Sequence, residues 1–151
     1  MTQKMKVLFL CTGNSCRSQM AEGWTRHLKR DVMDAYSAGI ETHGLNPNAV
    51  KVMAEVGVDI SAQYSKHIDE LRQVELDLVI TVCGDAHETC PYVPSTARVI
   101  HVGFSDPPAM ARELAAQGAS EEKQLECYRQ VRDAIRAFVE TLPDALPDPL
   151  K

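Results

Sequence analysis

The chain has 151 residues and a formal net charge of −5, from 16 basic and 21 acidic residues. Its 44% hydrophobic and 25% charged residues are typical of a globular domain. The acidic balance, with basic residues that form no cluster, argues against a nucleic-acid surface. A short polar N-terminus without a long apolar stretch predicts no signal peptide and no membrane span. Five cysteines without a secretory signal favour a reducing compartment, so we expect a cytoplasmic protein.

The N-terminal stretch combines an apolar run, a glycine-containing turn and an amphipathic pattern. Residues 6–10 are predicted to form a buried strand, residues 11–18 a tight loop, and the following apolar positions the inner face of a helix. Backbone N–H groups and the positive end of the helix dipole converge at such a turn, where an oxyanion binds well. We therefore predict an oxyanion-binding loop made by Thr12, Gly13, Asn14, Ser15, Cys16, Arg17 and Ser18.

Cys11, at the end of the predicted strand, is a candidate thiolate nucleophile. A helix N-terminus and a nearby arginine both favour the thiolate form of a cysteine. Arg17 has a planar guanidinium that can grip two oxygens of a tetrahedral anion, and Ser18 can donate its hydroxyl to the thiolate. A cysteine at a strand end is often only a small buried hydrophobe. The Cys-x5-Arg spacing and Gly13, which permits close backbone approach, favour the nucleophile.

The Cys-x5-Arg-Ser string resembles the phosphate-binding loop of the low-molecular-weight protein tyrosine phosphatases. The longer string over residues 11–24 is more similar to the thioredoxin-coupled arsenate reductases that share that fold, and residues 35–50 and 129–133 resemble the same family. The loop alone does not separate the two groups. The alternation of strand and helix patterns predicts an α/β fold with a parallel sheet. The resemblance implies a three-layer sandwich in which a four-stranded parallel sheet is flanked by helices.

A pair of cysteines, Cys83 and Cys90, distinguishes the arsenate reductases from the tyrosine phosphatases better than the loop does. A long apolar run over residues 76–83 predicts a buried strand that ends at Cys83, and Cys90 follows before a proline. The two thiols could simply be buried, or could bind a metal together with His87, although the paired spacing of structural zinc sites is absent. Arsenate reductases of the resembling family carry such a pair, whereas the phosphatases do not need it. We therefore expect no metal at this place.

The resemblance implies a relay of three thiols. Cys11 would attack arsenate, Cys83 would attack Cys11 to release arsenite, and Cys90 would attack Cys83 to leave an exposed disulfide. Thioredoxin would then reduce that disulfide, so that no bound cofactor is needed. Phosphate and sulfate would compete with arsenate in the loop.

Asp106, followed by Pro107, stands just past a predicted strand over residues 97–102. An aspartate before a proline is usually only a turn signal. In the fold of the low-molecular-weight tyrosine phosphatases, which the chain resembles, this aspartate is the expected general acid, placed to protonate a leaving oxygen. The family more often has tryptophan and aspartate where Val102 and Ser105 stand here.

A cation site behind the loop is a further implication of the resemblance. Several members of the family bind a monovalent cation through an aspartate and through residues that match Asn14, Glu22 and Ser37. This chain has Lys66 in place of that aspartate. We expect the Lys66 ammonium to take the cation's place, pairing with Glu22 and bracing Asn14, so that activity needs no potassium. A solvated surface lysine is the alternative.

Asn46 before Pro47 predicts the start of a helix that Asn46 caps. The C-terminal part predicts a last helix that Ser120 caps, with Cys127 at the edge of its apolar stripe as a bystander thiol. We predict one domain over residues 1–142 and a loose tail over residues 143–151, and a monomer. The predicted function is reduction of arsenate to arsenite, with weak phosphatase side activity. Two rival hypotheses remain: a phosphatase with idle cysteines at positions 83 and 90, and a thiol sensor that binds arsenite or a soft metal.

Overall fold

The computed structural model describes residues 4–83 and 97–142, with residue 83 described through its backbone. The predictions for His87, Cys90 and the tail over residues 143–151 lie outside these ranges. The elements in chain order are β1 (Met5–Cys11), α1 (Arg17–Leu28), β2 (Met33–Gly39), α2 (Pro47–Glu55), a 3-10 helix (Ile68–Leu71), β3 (Leu78–Cys83), β4 (Arg98–Phe104), α3 (Pro107–Ala116) and α4 (Glu121–Glu140).

The four strands form one parallel sheet in the order β2-β1-β3-β4. The central strand β1 is buried on both faces because its residues Val7, Leu8, Phe9 and Leu10 are all apolar, as a covered parallel sheet requires. Val7 and Phe9 face a core shared with α1, α2 and α4, whereas Leu8 and Leu10 face the segment around the 3-10 helix. The predicted three-layer α/β fold is confirmed.

Two predicted helix starts are confirmed by their caps. The Asn46 side chain accepts hydrogen bonds from the N–H groups of Asn48 and Ala49, and the Ser120 hydroxyl accepts one from Lys123. The sequence pattern did not predict α3. Its first turn holds Pro107 and Pro108, which suggest a turn in a sequence but fit the start of a helix, where the N–H groups need no partner within the helix.

Helix α4 joins the other helices through polar contacts as well as through its apolar stripe. The Trp24 indole in α1 donates to the Arg132 carbonyl at 3.1 Å, and the Arg132 guanidinium donates to the Val52 carbonyl in α2 at 3.0 Å. Cys127 is buried in α4 beside the Lys123 carbonyl of the same helix. Within the described ranges, no helix has both the length and the apolar character needed to cross a membrane.

Strand β2 ends at Gly39, where the loop that follows β1 passes very close. A Cβ atom at this position would lie 2.6 Å from the Thr12 carbonyl oxygen and 2.9 Å from both the Asn14 nitrogen and the Cys11 carbonyl oxygen. All three are backbone atoms, which cannot move aside as a flexible side chain can. Glycine is therefore required here because the loop and β2 are in backbone contact.

We expect Gly39→Ala to push the loop after β1 away from β2. The overpacking should lower the free energy of unfolding by about 1–3 kcal/mol, and the displaced loop should bind phosphate more weakly than the parent does. Denaturant unfolding and phosphate titration measure the two effects. Gly23→Ala is the control for overpacking alone: the atoms nearest to its Cβ belong to the side chains of Ile60, at 2.5 Å, Met53 and Val58, so it should lower stability without displacing the loop. Unchanged phosphate affinity in Gly39→Ala would contradict this account.

Candidate active site

The site lies at the carboxyl edge of the parallel sheet, between β1 and β3. In the sheet order β2-β1-β3-β4, the strand that follows β1 in the chain lies on one side of β1, and β3 lies on the other side. The connections at the carboxyl ends of β1 and β3 therefore run in opposite directions. Ligands of open α/β sheets bind in the crevice that such a divergence creates. The backbone of Cys83 ends β3 at the same edge, in register with Phe104 of β4.

A cavity of about 730 Å³ opens at this edge and brings together three predicted catalytic residues, Cys11, Arg17 and Asp106. Four further residues of the predicted loop line it, namely Thr12, Gly13, Ser15 and Cys16. The side chains of Asn14 and Ser18 lie behind the loop instead, fully buried, because Asn14 turns back to donate to the Ser18 hydroxyl at 2.9 Å. Asn14 and Ser18 belong to the predicted loop, but their side chains do not line the cavity.

The carbonyl groups of the loop are held from outside by the segment that follows β2. The Thr12 carbonyl oxygen accepts hydrogen bonds from the N–H groups of Ile40 at 3.1 Å and Glu41 at 3.0 Å. The Gly13 oxygen accepts the N–H group of His43 at 3.1 Å. In a planar trans peptide the N–H group points opposite to the C=O group, so these contacts turn the N–H groups of Gly13 and Asn14 to the other side.

Two more contacts extend the same arrangement. The Ser65 hydroxyl also donates to the Gly13 oxygen at 3.0 Å, and the Asn46 N–H group donates to the Ser15 oxygen at 3.0 Å. The Cys16 N–H group is then turned away from Asn46. Successive N–H groups that are fixed in this way before a helix begins form a concave site for an anion.

Gly13 is needed for a reason that the sequence did not show. A Cβ atom at Gly13 would lie 2.4 Å from Nδ1 of the His43 imidazole, which packs directly on the loop. His43 also lines the cavity, and its Nε2 lies 2.8 Å from a carboxylate oxygen of Glu41. His43 is therefore more than the simple turn residue that its sequence position suggests.

Arg17, the first residue of α1, is held by β4 and by the residue that precedes α3. Its Nη1 donates to the Phe104 carbonyl at 3.0 Å, and its Nη2 lies 3.9 Å from Oδ1 of Asp106. Its side chain is 6% exposed. A buried guanidinium held at the start of a helix adds a fixed positive charge to the N–H groups of the loop.

Cys16 contributes its backbone and not a reactive thiolate. Burial raises the pKa of the Cys16 thiol far above its usual range, although the neighbouring Arg17 charge opposes the shift in part. Cys16 is also the N-cap of α1, and its side chain makes no capping hydrogen bond. Among the described helices, α2 and α4 have N-terminal N–H groups bound by their own cap side chains, whereas the start of α1 faces the cavity.

The four residues that were predicted to support the loop lie together behind it: Asn14, Glu22, Ser37 and Lys66. The Lys66 ammonium donates to the Ser37 carbonyl at 3.1 Å and lies 4.0 Å from Glu22, and the Ser37 hydroxyl donates to Glu22 at 2.5 Å. Asn14 is braced by the backbone N–H group of Lys66 at 2.8 Å, and not by the ammonium as we expected. All four residues are buried.

The Lys66 ammonium is held mainly by oxygens. It donates to the Tyr64 carbonyl at 3.0 Å and lies 4.5 Å from the centre of the Tyr64 ring. Burial lowers the pKa of Lys66, and the Glu22 carboxylate opposes that shift. The alternative of a solvated surface lysine is excluded, because Lys66 is only 8% exposed.

The sequence did not predict the contacts that four residues make with the loop or behind it, namely Gln19, Asn46, Gln63 and Ser65. Asn46 was recognised only as a helix cap, and no pattern marked the other three. In the described ranges, no group of three or more His, Cys, Asp and Glu side chains is arranged to hold a metal ion.

Comparison with known proteins places this site in a family. Residues 6–148 match the model of the family described as low molecular weight phosphotyrosine protein phosphatase. An arsenate reductase of Bacillus subtilis is 53% identical over 139 residues, which cover 89% of this chain and 95% of the relative. An arsenate reductase of Halalkalibacterium halodurans is 50% identical over 141 residues, covering 93% and 96%.

A solved structure of an arsenate reductase in the phosphate binding state is 35% identical, with a TM-score of 0.70. The match covers 91% of this chain and 95% of that one. The chain therefore belongs to the low molecular weight phosphotyrosine protein phosphatase family and, within it, to the arsenate reductases.

Proposed function

We propose that this chain reduces arsenate to arsenite through a thiol relay that begins at Cys11. The observation that carries the proposal is the cavity in which Cys11, Arg17 and Asp106 meet a loop whose carbonyls are held away from it. Such a cavity suits a tetrahedral oxyanion, and a related arsenate reductase was solved in a phosphate binding state.

The first step joins sulfur to arsenic. The Cys11 thiolate attacks As(V), an S–As bond forms and one oxygen leaves. Asp106, at the cavity wall, donates the proton that lets this oxygen leave as water. Arg17 and the N–H groups of the loop stabilise the charge on the remaining oxygens.

The second step moves two electrons. The Cys83 thiolate attacks the Cys11 sulfur, an S–S bond forms, and the electron pair of the S–As bond stays on arsenic, which leaves as As(III) arsenite. Cys90 then attacks Cys83, which releases the Cys11 thiolate and leaves a disulfide between Cys83 and Cys90. The position of the Cys83 backbone at the same sheet edge as Cys11 supports this proposal.

Thioredoxin is the proposed source of the two electrons that reopen the disulfide between Cys83 and Cys90. The chain would act as a cytoplasmic monomer without a bound cofactor. Thiol chemistry of this kind needs a reducing compartment and a partner dithiol.

Phosphatase activity is proposed only as a side reaction. The loop, Arg17 and Asp106 suffice to cleave a phosphoester, since phosphate and arsenate have nearly the same shape. Tyrosine phosphatases of the family usually stack aromatic side chains on the substrate ring, and the described lining of the cavity contains no Phe, Tyr or Trp. The thiol-sensor alternative gives no role to the buried guanidinium of Arg17.

Lys66 is proposed to replace a potassium ion. Its ammonium is bound by the Ser37 and Tyr64 carbonyls and lies near the Glu22 carboxylate, which are ligands of the kind that a monovalent cation takes. The Lys66 charge would keep Glu22 and Ser37 in place beneath the loop without an added ion.

Cys83→Ser and Cys90→Ser should each abolish arsenate-dependent NADPH consumption in the presence of thioredoxin and thioredoxin reductase. Both variants should still hydrolyse an aryl phosphate slowly, because Cys11 and Arg17 remain. Cys127→Ser is the matched control and should keep both activities, since Cys127 is buried in α4 away from the cavity. A parent that hydrolyses phosphoesters well but does not reduce arsenate would overturn the proposed function.

Asp106→Asn should slow aryl phosphate hydrolysis by at least about 100-fold, the usual contribution of a general acid. The loss should grow as the leaving group becomes more basic, because a poor leaving group depends more on protonation. Phosphate should bind at least as tightly as to the parent, since the Arg17 guanidinium loses a neighbouring negative charge. Asp31→Asn, at an exposed position, is the control. Equal losses for good and poor leaving groups would contradict the acid role.

Replacing tetramethylammonium by potassium at constant ionic strength should change the parent's turnover by less than about twofold, because an ammonium already occupies the site. Lys66→Asp should make turnover rise with potassium, whereas Lys51→Asp at an exposed position of α2 should not. A several-fold stimulation of the parent's turnover by potassium would contradict the proposal that Lys66 replaces the ion.

A further inference from the structure

We propose that Gln19 is a positioning residue that holds the Asn14–Ser15 peptide group of the loop in its oxyanion-binding orientation, and that Gln63 holds Gln19. The inference rests on the proposed function, because it assumes that the loop binds an oxyanion substrate. Neither glutamine lines the cavity, so neither is placed to contact a bound oxyanion directly.

The contacts of Gln19 fix the direction of its side-chain amide. Its Nε2 donates to the Asn14 carbonyl at 3.0 Å, to Asn14 Oδ1 at 3.1 Å and to the Tyr64 carbonyl at 3.0 Å. The side chain is fully buried, and all three neighbours of this nitrogen are oxygens. The NH2 end must therefore face Asn14, since a reversed amide would place oxygen against oxygen.

Gln63 secures the other end of the same amide. Its Nε2 donates to Gln19 Oε1 at 2.8 Å and to the Gln19 backbone oxygen at 3.1 Å. Reversal of the Gln19 amide would break the contact at Oε1 as well as those at Asn14. The two glutamines thus form a chain of hydrogen bonds that runs from the segment after α2 to the back of the loop.

The Asn14–Ser15 peptide differs from the neighbouring peptides in how it is held. The carbonyls of Thr12, Gly13 and Ser15 each accept at least one backbone N–H group from outside the loop. Within the described ranges, the Asn14 carbonyl is held by the Gln19 side chain instead. This peptide plane therefore depends on a replaceable side chain.

Asn14 also has a backbone conformation that needs support. Its φ is 47°, in the left-handed region that L-residues rarely adopt. Rotation of the Asn14–Ser15 peptide would turn the Asn14 oxygen towards the cavity and the Ser15 N–H group away from it. One donor to the oxyanion would then be replaced by a repelling acceptor, which is why the Gln19 contact matters for binding.

Three nearly isosteric variants, two at Gln19 and one at Gln63, test the proposal by titration of the reduced protein with inorganic phosphate. Gln19→Met removes the donor and should weaken phosphate binding about 10-fold. Gln19→Glu places a carboxylate against the Asn14 oxygen, favours the rotated peptide and should weaken binding by more than about 100-fold. Gln63→Met should have a smaller effect in the same direction, about threefold.

The NMR resonance of the Ser15 amide separates positioning from general destabilisation. In the parent and in the exposed controls Gln73→Met and Gln73→Glu it should shift on addition of phosphate, and in Gln19→Glu it should not. If the Gln19 variants do not fold, as judged by thermal unfolding, Gln63→Met decides through the same two readouts.

Phosphate affinities within twofold of the parent in the folded variants, together with a normal Ser15 shift, would overturn the role of Gln19. A parent that binds phosphate but does not reduce arsenate would instead refute the proposed function, and the assignment of Gln19 would still be decided by these titrations.

Discussion

Hydrogen bonds that hold the loop carbonyls on the side away from the cavity constrain the whole site. Backbone N–H groups of residues 40, 41, 43 and 46 bind the carbonyls of Thr12, Gly13 and Ser15 from one side. Because each peptide is planar, the N–H groups of the loop are then available on the other side without further rearrangement. Binding of an anion there requires little reorganisation, which is the basis of electrostatic preorganisation.

This constraint explains why several residues in and around the loop have little freedom to change. Gly39 must lack a side chain because β2 is in contact with the loop backbone, and Gly13 because the His43 ring packs on it. Behind the loop, Glu22, Ser37 and Lys66 form a buried polar cluster in which Ser37 donates to Glu22 and Lys66 donates to the Ser37 carbonyl. The Glu22 carboxylate also pairs with Arg26 at 3.0 Å. Burying such a cluster costs little only when its charges are paired, as they are here.

Local patterns predicted the fold and the turn between β1 and α1. Features that depend on residues close together in the sequence can be predicted from it. They include the apolar strands, the caps at Asn46 and Ser120 and the Cys-x5-Arg spacing. Helix α3 was not predicted, because the two prolines of its first turn suggest a turn equally well. The contacts of Gln63 and Ser65, and that of Gln19 with Tyr64, could not be predicted, since they join residues more than 40 positions apart whose identities follow no period.

A single-turnover experiment can show whether arsenate bound in the oxyanion loop reacts at Cys11 and whether the electrons come from the chain's own thiols. The reduced protein is mixed with one equivalent of arsenate in the absence of thioredoxin, and the arsenic products and peptide disulfides are identified by mass spectrometry. We expect one arsenite per chain and a disulfide between Cys83 and Cys90, with Cys11 reduced. Arsenite formation without that disulfide, or no arsenite at all, would contradict the proposed relay.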